Sequence, residues 1–386
     1  MVANDDFLIF GQPLIGEAEI AEVVDSLRSA WIGFGPKTKQ FERDFAEYKS
    51  CPSAVALNSG TAALFHALDA EGIGPGDEVI TTAVTFVASI NAILHVGATP
   101  IVVDIDPQSY NIDPDAIRNA VTPKTRAIIP VHLGGLPCDM GSIMSIAKEH
   151  DLIVIEDAAH AVETEYFGQK IGTIGDYGCF SFYPTKNLTT GEGGMLLARD
   201  PEKLELARSR SAHGLSADAY SRFTSTTFAH YRATQLGYKN NMSDLQGALG
   251  IHQLARLDEN WKVRQKHWNF YHDNLAGLGL VLPMIADQGI RHAYHLFSVL
   301  VTPEFGMDRD MFIAALSERG IGSGVHYLSM TQHPFHAETL GFHADDFQNA
   351  ESVSSQTVSI PLSAALTDDN VKRVVGAIVD IHASLR

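Results

Sequence analysis

Residues 180–194 read FSFYPTKNLTTGEGG, an apolar run that leads through a turn of small residues to a lysine and then to a glycine-rich segment. An apolar run of this length is typical of a buried β-strand. Lys186 would then lie just beyond the strand, where a pocket can lower the pKa of its amine, as a Schiff-base lysine requires. A lone loop lysine is usually exposed to solvent, so the motif needs support from the rest of the chain.

Two other segments place polar residues where a strand ends. Residues 153–160, IVIEDAAH, run from an apolar strand into Asp157, whose carboxylate is costly to bury without a cation or donor. Residues 58–63, NSGTAA, open a helix at a hydroxyl residue, and the free N–H groups of a helix start suit a phosphate. Together with Lys186, these segments predict the phosphate cradle, acid and lysine that transamination with pyridoxal 5′-phosphate requires.

Short apolar runs recur through the first half of the chain. Seven of them predict strands, at 54–57, 78–81, 100–103, 127–131, 152–155, 179–182 and 195–198. Helix-like segments separate the early ones, at 61–71, 86–96, 113–120 and 140–150. Strands that alternate with helices predict an α/β fold with a mainly parallel seven-stranded sheet.

The pattern changes after about residue 200. Residues 209–235 are polar with weak periodicity and predict a long loop, whereas 243–260 have the spacing of one helix. Later segments mix helices with strands such as 295–301. We therefore predict a large domain with an N-terminal arm at 1–250 and a smaller α+β domain at 251–386.

Composition limits the functional classes. The chain has 386 residues and a formal net charge of −18, which argues against a nucleic-acid-binding surface. No apolar run is long enough for a membrane helix, and the N-terminus lacks the pattern of a signal peptide, so a cytoplasmic enzyme is expected. Three dispersed cysteines and the absence of HExxH or CxxC spacing predict neither a disulfide framework nor a metal site.

Several motifs resemble those of the DegT/StrS family of sugar aminotransferases. They are SGTAAL (59–64), TFVAS (85–89), IEDAAHA (155–161), SFYPTKNLTTGEGG (181–194) and GYKNNMSDLQ (237–246). The resemblance extends over essentially the whole chain and implies the fold-type I architecture of pyridoxal phosphate-dependent transferases. Within the family, residues 213–222, 236–254 and 319–327 are most similar to the UDP-4-amino-4-deoxy-L-arabinose–oxoglutarate aminotransferase branch. Asn240 departs from that branch, which more often has an aromatic residue there.

The resemblance assigns catalytic and coenzyme-binding roles. Lys186 would form the Schiff base and move the proton, Asp157 would pair with the pyridinium nitrogen, and His160 would lie near the phenolate edge of the ring. The remaining coenzyme contacts would be the ring-stacking Phe86 and the phosphate-binding Gly60, Thr61, Ser181 and Asn241. Asn241 would come from a second subunit, which implies a homodimer with shared active sites.

The resemblance also implies the substrates. Tyr183, Lys239 and His326 would contact a nucleotide-linked sugar. The expected reaction moves an amino group from an amino acid, glutamate, to carbon 4 of a 4-keto-6-deoxy sugar, with carbon 3 as the alternative. The nucleotide stays open among UDP, GDP and dTDP.

The same residues bear on three other functions. A sugar 3-dehydratase of the family would have histidine at the position of Lys186. A non-catalytic regulatory homologue would be expected to have lost Lys186 or Asp157, and both are present. A dehydrogenase that binds a dinucleotide needs GxGxxG after its first strand, where this chain has NSGTAA.

Overall fold

The computed structural model describes residues 7–215 and 232–385. Its strands, in chain order, are β1 (Val55–Leu57), β2 (Glu78–Thr82), β3 (Thr99–Val103), β4 (Thr125–Ile128), β5 (Ile153–Asp157), β6 (Glu165–Tyr166), β7 (Gln169–Lys170), β8 (Tyr177–Ser181), β9 (Gly194–Ala198), β10 (Leu280–Val281), β11 (Ile290–Arg291), β12 (Phe297–Val301) and β13 (Thr357–Ile360).

The helices in the same ranges are α1 (Glu17–Ser29), α2 (Pro36–Lys49), α3 (Gly60–Ala70), α4 (Ala88–His95), α5 (Pro114–Ala120), α6 (Met140–His150), α7 (Pro201–Ser211), α8 (Asp244–Ala255), α9 (Leu257–Leu275), α10 (Arg309–Glu318), α11 (Pro334–Leu340), α12 (Gln348–Gln356) and α13 (Asp368–Ser384). Short 3₁₀ segments lie at Leu133–Gly135, Pro303–Phe305, Met330–Gln332 and Ala344–Asp346.

Seven strands form the large sheet, in the order β1-β9-β8-β5-β4-β2-β3. Strand β9 is antiparallel to both of its neighbours, and the other contacts are parallel. The predicted α/β fold with a mainly parallel seven-stranded sheet is therefore confirmed. Parallel strands all end at one edge of a sheet, so the polar residues that follow them are brought together there.

Helices cover both faces of the large sheet, as its continuously apolar strands require. Residues of α3, α4 and α7 pack on one face, and residues of α2, α5 and α6 pack on the other. On the second face, Phe41 and Phe45, one turn apart on α2, contact Phe182 with ring centroids at 5.3 and 5.7 Å. This packing fixes the chain just before the loop that contains Lys186.

Two local predictions need correction. The predicted helix at 243–260 is two helices, because Arg256 (φ −108°, ψ 10°) leaves the helical conformation between α8 and α9. Its guanidinium pairs with Glu19 of α1 at 2.5 Å. The predicted loop at 209–235 begins inside α7, and its part at 216–231 lies outside the described residues.

A separate hydrophobic cluster, formed by residues between Trp268 and Ile381, packs α9, α10 and α13 against the antiparallel sheet β10-β12-β13. Leu254 and Leu257 belong instead to the cluster that packs α2, α5 and α6 on one face of the large sheet. The packing thus changes between Leu257 and Trp268, and the predicted division at residue 250 stays a prediction.

A smaller cluster joins these two parts. Leu300 of β12 and Val353 of α12 pack against Ala83 and Val84, which follow β2. The contact holds the C-terminal part of the chain over the edge where the parallel strands end. Residues 324–327 thereby become a wall of the cavity described below.

Membrane-spanning helices and metal-binding clusters are both absent from the described ranges. Among those residues, no helix is both long and apolar enough to cross a membrane. The same part of the chain contains no group of three or more His, Cys, Asp or Glu side chains placed to hold a metal ion.

We predict that Asp244→Ala strongly destabilises the fold. The buried carboxylate of Asp244 accepts hydrogen bonds from the backbone N–H groups of Lys37 (3.2 Å) and Thr38 (2.9 Å) and from the Thr38 hydroxyl (2.8 Å), so it caps α2. The substitution leaves these donors buried without partners, which lowers the free energy of unfolding by about 3 kcal/mol. Urea unfolding at fixed protein concentration measures the change. Asp310→Ala, at a largely exposed aspartate, is the matched control and should shift stability by less than about 0.5 kcal/mol.

Candidate active site

A cavity of about 560 Å³ lies at the edge of the large sheet where the parallel strands end. The ends of β5 and β8 and the segments that follow β1, β2 and β4 contribute to its wall, and residues 324–327 close the opposite side. Ligands of open α/β sheets bind at this edge. The cavity is therefore the candidate active site.

Lys186 lies in the turn after β8, where its backbone N–H donates to the carbonyl of Tyr183 at 2.9 Å. Its side chain is partly exposed because it borders the cavity, and protein surrounds it otherwise. Burial lowers the pKa of the amine to about 8, against the opposing effect of the Asp157 carboxylate. An amine with this pKa is neutral in a useful fraction of molecules at neutral pH, so it can act as a nucleophile or base.

Asp157 is the last residue of β5 and is 6% exposed. One carboxylate oxygen accepts from the hydroxyl of Ser89 at 2.9 Å, and the other accepts from the backbone N–H of Ala159 at 3.2 Å. Burial raises the pKa of this carboxyl group, whereas the hydrogen bond from Ser89 lowers it. A buried carboxylate held in this way can accept a further hydrogen bond from a protonated ring nitrogen.

The start of α3 forms another part of the wall. Ser59 caps the helix by accepting a hydrogen bond from the backbone N–H of Ala62 at 3.1 Å. A Cβ at Gly60 would lie 2.9 Å from the Cβ of Ser181, so glycine allows the helix end to approach β8 closely. Gly60, Thr61 and Ser181 all line the cavity, which combines free helix N–H groups with hydroxyls as a phosphate site requires.

These features fit pyridoxal 5′-phosphate, the predicted coenzyme. The amine of Lys186, the carboxylate of Asp157 and the start of α3 share one cavity. Phe86 is 57% exposed although it is large and apolar, because it also borders that cavity, where an aromatic face can stack on a planar ring. The donor set thus matches the phosphate, the ring and the aldehyde of the coenzyme.

His160 has a defined protonation state. Its Nδ1 accepts from the backbone N–H of Gly134 at 3.2 Å, and burial lowers the pKa of the imidazole well below its ordinary value. The neutral ring therefore carries its proton on Nε2, which lies 3.0 Å from the hydroxyl oxygen of Tyr327. Because His160 donates to Tyr327, the hydroxyl hydrogen of Tyr327 is available to a ligand in the cavity.

The cavity wall contains every predicted site residue except Lys239 and Asn241. Within the described ranges, these two lie on a segment beside β1, where the backbone of Asn241 bridges to Leu57 and Lys239 donates a hydrogen bond to the Asn241 amide oxygen. The prediction placed Asn241 in the site of a second subunit, which a single chain does not test. The roles of both residues stay predictions.

Some residues of the site were missed from the sequence. Ser89 and Tyr327 belong to recognised segments, TFVAS (85–89) and 319–327, but nothing in those segments indicated their hydrogen bonds to Asp157 and His160. Phe10 comes from the N-terminal arm and stacks on the ring of His326 at 5.3 Å between centroids. No sequence signal marked Phe10, because its role depends on a contact more than 300 residues away along the chain.

Known proteins with similar sequences connect the site to a family. The model of the DegT/DnrJ/EryC1/StrS aminotransferase family matches residues 13–379. The spore coat polysaccharide biosynthesis protein SpsC of Bacillus subtilis is 47% identical over 381 residues, which are 98% of each chain. The uncharacterized protein MJ1066 of Methanocaldococcus jannaschii is 45% identical over 385 residues, covering 99% of this chain and 100% of that one.

Solved structures lead to the same family. The putative sugar aminotransferase Spr1654 from Streptococcus pneumoniae, in its PMP form, has a TM-score of 0.90 at 33% identity and covers 98% of both chains. The DesV protein of S. venezuelae, in complex with a ketimine intermediate, has a TM-score of 0.86 at 34% identity over 94% of each chain. The predicted fold-type I architecture is confirmed, and the predicted coenzyme agrees with the PLP form in which Spr1654 is also known. The similarities in sequence and fold extend over nearly the whole length, and the chain belongs to the DegT/DnrJ/EryC1/StrS aminotransferase family.

Proposed function

We propose that this protein is a pyridoxal phosphate-dependent aminotransferase that moves an amino group from glutamate to a nucleotide-linked keto sugar, at carbon 4 of a 4-keto-6-deoxy sugar. The observation that carries the proposal is the joint placement of the Lys186 amine, the Asp157 carboxylate and the start of α3 around one cavity. Transamination needs an amine that can act as a base and an acid that can hold the proton of the coenzyme ring, and Lys186 with its lowered pKa and the buried Asp157 suit these two roles.

Pyridoxal phosphate, when bound, supplies an aldehyde that exchanges amines and a ring that withdraws electrons from the carbon that loses a proton. Lys186 would hold it covalently at rest. When it is not bound to the coenzyme, the Nζ of Lys186 would be the base that takes a proton from the carbon of the donor that bears the amino group. A pKa of about 8 suits this role, because a base is most effective when its pKa lies near the working pH.

Asp157 would hold the proton of the ring nitrogen. Ser89 and the backbone N–H of Ala159 fix its two oxygens, so the carboxylate cannot rotate freely. A fixed anion in a buried site stabilises a nearby cation far more than it would in water. Ser89 also lies 2.8 Å from the Thr85 hydroxyl, which ties this arrangement to the residue before Phe86.

His160 and Tyr327 would orient the bound ring. The backbone N–H of Gly134, the imidazole and the Tyr327 hydroxyl form a chain of hydrogen bonds whose direction is set by the neutral imidazole. The Tyr327 hydroxyl can then donate to an oxygen in the cavity. Phe86 would cover the ring face, and its ring centroid lies 6.1 Å from that of Tyr327.

The sugar substrate is supported by the relatives and by the cavity. SpsC is described as a polysaccharide biosynthesis protein, and Spr1654 as a putative sugar aminotransferase. Tyr183 and His326 line the cavity beside Lys186, and burial lowers the pKa of His326 to about 4. A neutral imidazole suits a sugar hydroxyl better than a diphosphate charge. The choice of carbon 4 rests on the resemblance of the motifs around Asn241 and His326.

A second copy of the chain would complete the site. Several large apolar side chains are exposed near the N-terminal arm and before Lys239, namely Ile20 (48%), Leu27 (57%), Ile32 (53%) and Leu236 (80%). Exposed apolar surface of this kind marks interfaces. A two-fold dimer would cover it and bring Asn241 and Lys239 to the neighbouring cavity.

We predict that Lys186→Ala abolishes amino transfer from glutamate to 4-keto sugars linked to UDP, GDP or dTDP. The variant lacks the amine that would both hold the coenzyme covalently and act as the base. Turnover is measured as 2-oxoglutarate formed, and nuclear magnetic resonance of the product identifies the aminated carbon. Lys148→Ala, at an exposed lysine of α6, is the control and should retain full activity. Substantial turnover by the Lys186 variant would contradict the mechanism, and an amine at carbon 3 would correct the position.

We predict that mixing Lys186→Ala subunits with Asn241→Ala subunits restores activity that neither variant has alone. A mixed dimer contains one site with an intact Lys186 and the intact Asn241 of the other subunit, if Asn241 serves the neighbouring site. Activity is followed after the subunits are dissociated and reassociated, and each variant treated alone is the control. No recovery in verified mixed dimers would mean that both residues serve the site of their own chain.

A further inference from the structure

A buried ion pair lies behind the loop that contains Lys186. Glu163 lies in the segment between β5 and β6, and Arg264 lies on α9. Each side chain is about 2% exposed or less. An Arg264 N–H donates to one oxygen of Glu163 in a short contact. Neither residue lines the cavity. Two charges removed from water carry a large desolvation cost, which their attraction offsets only with good geometry and further hydrogen bonds.

The further hydrogen bond comes from the residue next to Lys186. The Asn187 amide donates to the second oxygen of Glu163 at 2.9 Å and to the backbone carbonyl of Ala293 at 3.0 Å. Asn187 is thus bound on one side to the ion pair and on the other to the chain that leads into β12. The backbone of Lys186 is held between this anchor and its own hydrogen bond to Tyr183.

The same amide sets the state of a second histidine. The Asn187 amide oxygen lies 3.0 Å from Nδ1 of His295, so that nitrogen must carry the proton. Burial lowers the pKa of His295 well below its ordinary value, so the ring is neutral. Its centroid lies 4.4 Å from that of His160, the residue that orients Tyr327. The ion pair therefore reaches both the lysine and the histidine of the site through Asn187.

We propose that Arg264 is a positioning residue of the active site: through Glu163 and Asn187 it holds the Lys186 loop and the His295–His160 ring pair in their working geometry. The inference rests on the proposed function for its kinetic consequence, but its structural part concerns only residues of this chain. The amide that satisfies the ion pair belongs to the residue next to Lys186, so a change in the pair is transmitted to the lysine loop.

The position of Lys186 can be followed without the coenzyme, through the pKa of its amine. The titratable groups near its amine are Asp157, His160, His295 and His326. Burial lowers the pKa of Lys186 and the Asp157 carboxylate raises it. A loop that loosens lets water reach the amine, so the pKa rises toward its ordinary value. Rates of acetylation at Lys186, measured against pH by peptide mass spectrometry on the coenzyme-free protein, report this pKa.

The first variant is Arg264→Met, which removes the charge and keeps the aliphatic chain. We expect it to raise the pKa of Lys186 and to slow single-turnover reaction of the coenzyme-loaded enzyme with glutamate by on the order of tenfold or more, because small displacements of reacting groups are costly. Arg264→Lys, which keeps the charge, should recover part of both properties. An unchanged pKa and an unchanged single-turnover rate would overturn the proposal.

A matched control separates position from stability. Arg208 pairs with the buried Glu42 through contacts of 2.8 and 2.9 Å, and neither residue touches the lysine loop. Arg208→Met should lower the midpoint of thermal unfolding as Arg264→Met does, but leave the pKa of Lys186 unchanged. Equal effects of the two variants on that pKa would show a general loss of stability and would also overturn the proposal.

A double variant covers the case in which Arg264→Met does not fold. Glu163→Met with Arg264→Met leaves no unpaired buried charge, and such replacements are often neutral or stabilising. We expect this protein to fold while Asn187 keeps the Ala293 carbonyl but loses the Glu163 oxygen, so the pKa of Lys186 is still raised and the reaction is still slow. Full recovery of both properties in the double variant would contradict a positioning role. If the wild type binds no coenzyme, the proposed function fails, but the coenzyme-free titration still decides this inference.

Discussion

Asp157 keeps a carboxylate away from water at the end of a central strand, and such a group is stable only where donors and cations surround it. Ser89 and the backbone after β5 supply two donors. The charge of the Lys186 amine also lowers the pKa of this carboxyl group. The position of that amine depends on sheet order, because β8 lies beside β5, with Cys179 opposite Asp157, and leads within seven residues to Lys186. A parallel pair of strands thus places the acid and the amine on one cavity.

The same burial defines the remaining chemistry of the cavity. It lowers the pKa values of His160, His295 and His326, so all three rings are neutral near pH 7. Neutral rings act through hydrogen bonds of fixed direction, and no histidine charge competes with the ring proton that Asp157 would hold. Lys186 is kept at a pKa of about 8 by the balance between burial and Asp157. The fold therefore supplies a buried anion, an adjustable amine and several oriented donors.

The sequence was most informative where a residue's role is local. Buried strands are continuous apolar runs, so all seven strands of the large sheet were predicted, with small errors at their ends. Asp157 ends a strand, Gly60 and Lys186 lie within five residues after one, and the parallel arrangement brings all three together. Contacts between distant segments were not predictable: Phe10 meets His326, Tyr327 meets His160, and the break at Arg256 occurs where its guanidinium reaches α1.

The most direct test of the central claim is the absorbance spectrum of the purified protein with pyridoxal phosphate, before and after glutamate is added. The account predicts a visible band from coenzyme linked to Lys186, absent in Lys186→Ala, which glutamate converts to the shorter-wavelength amine form. A band that forms without Lys186, or no band at all, would contradict the assignment of this cavity. A band that glutamate leaves unchanged would show that the lysine and coenzyme are correct but the amino donor is another compound.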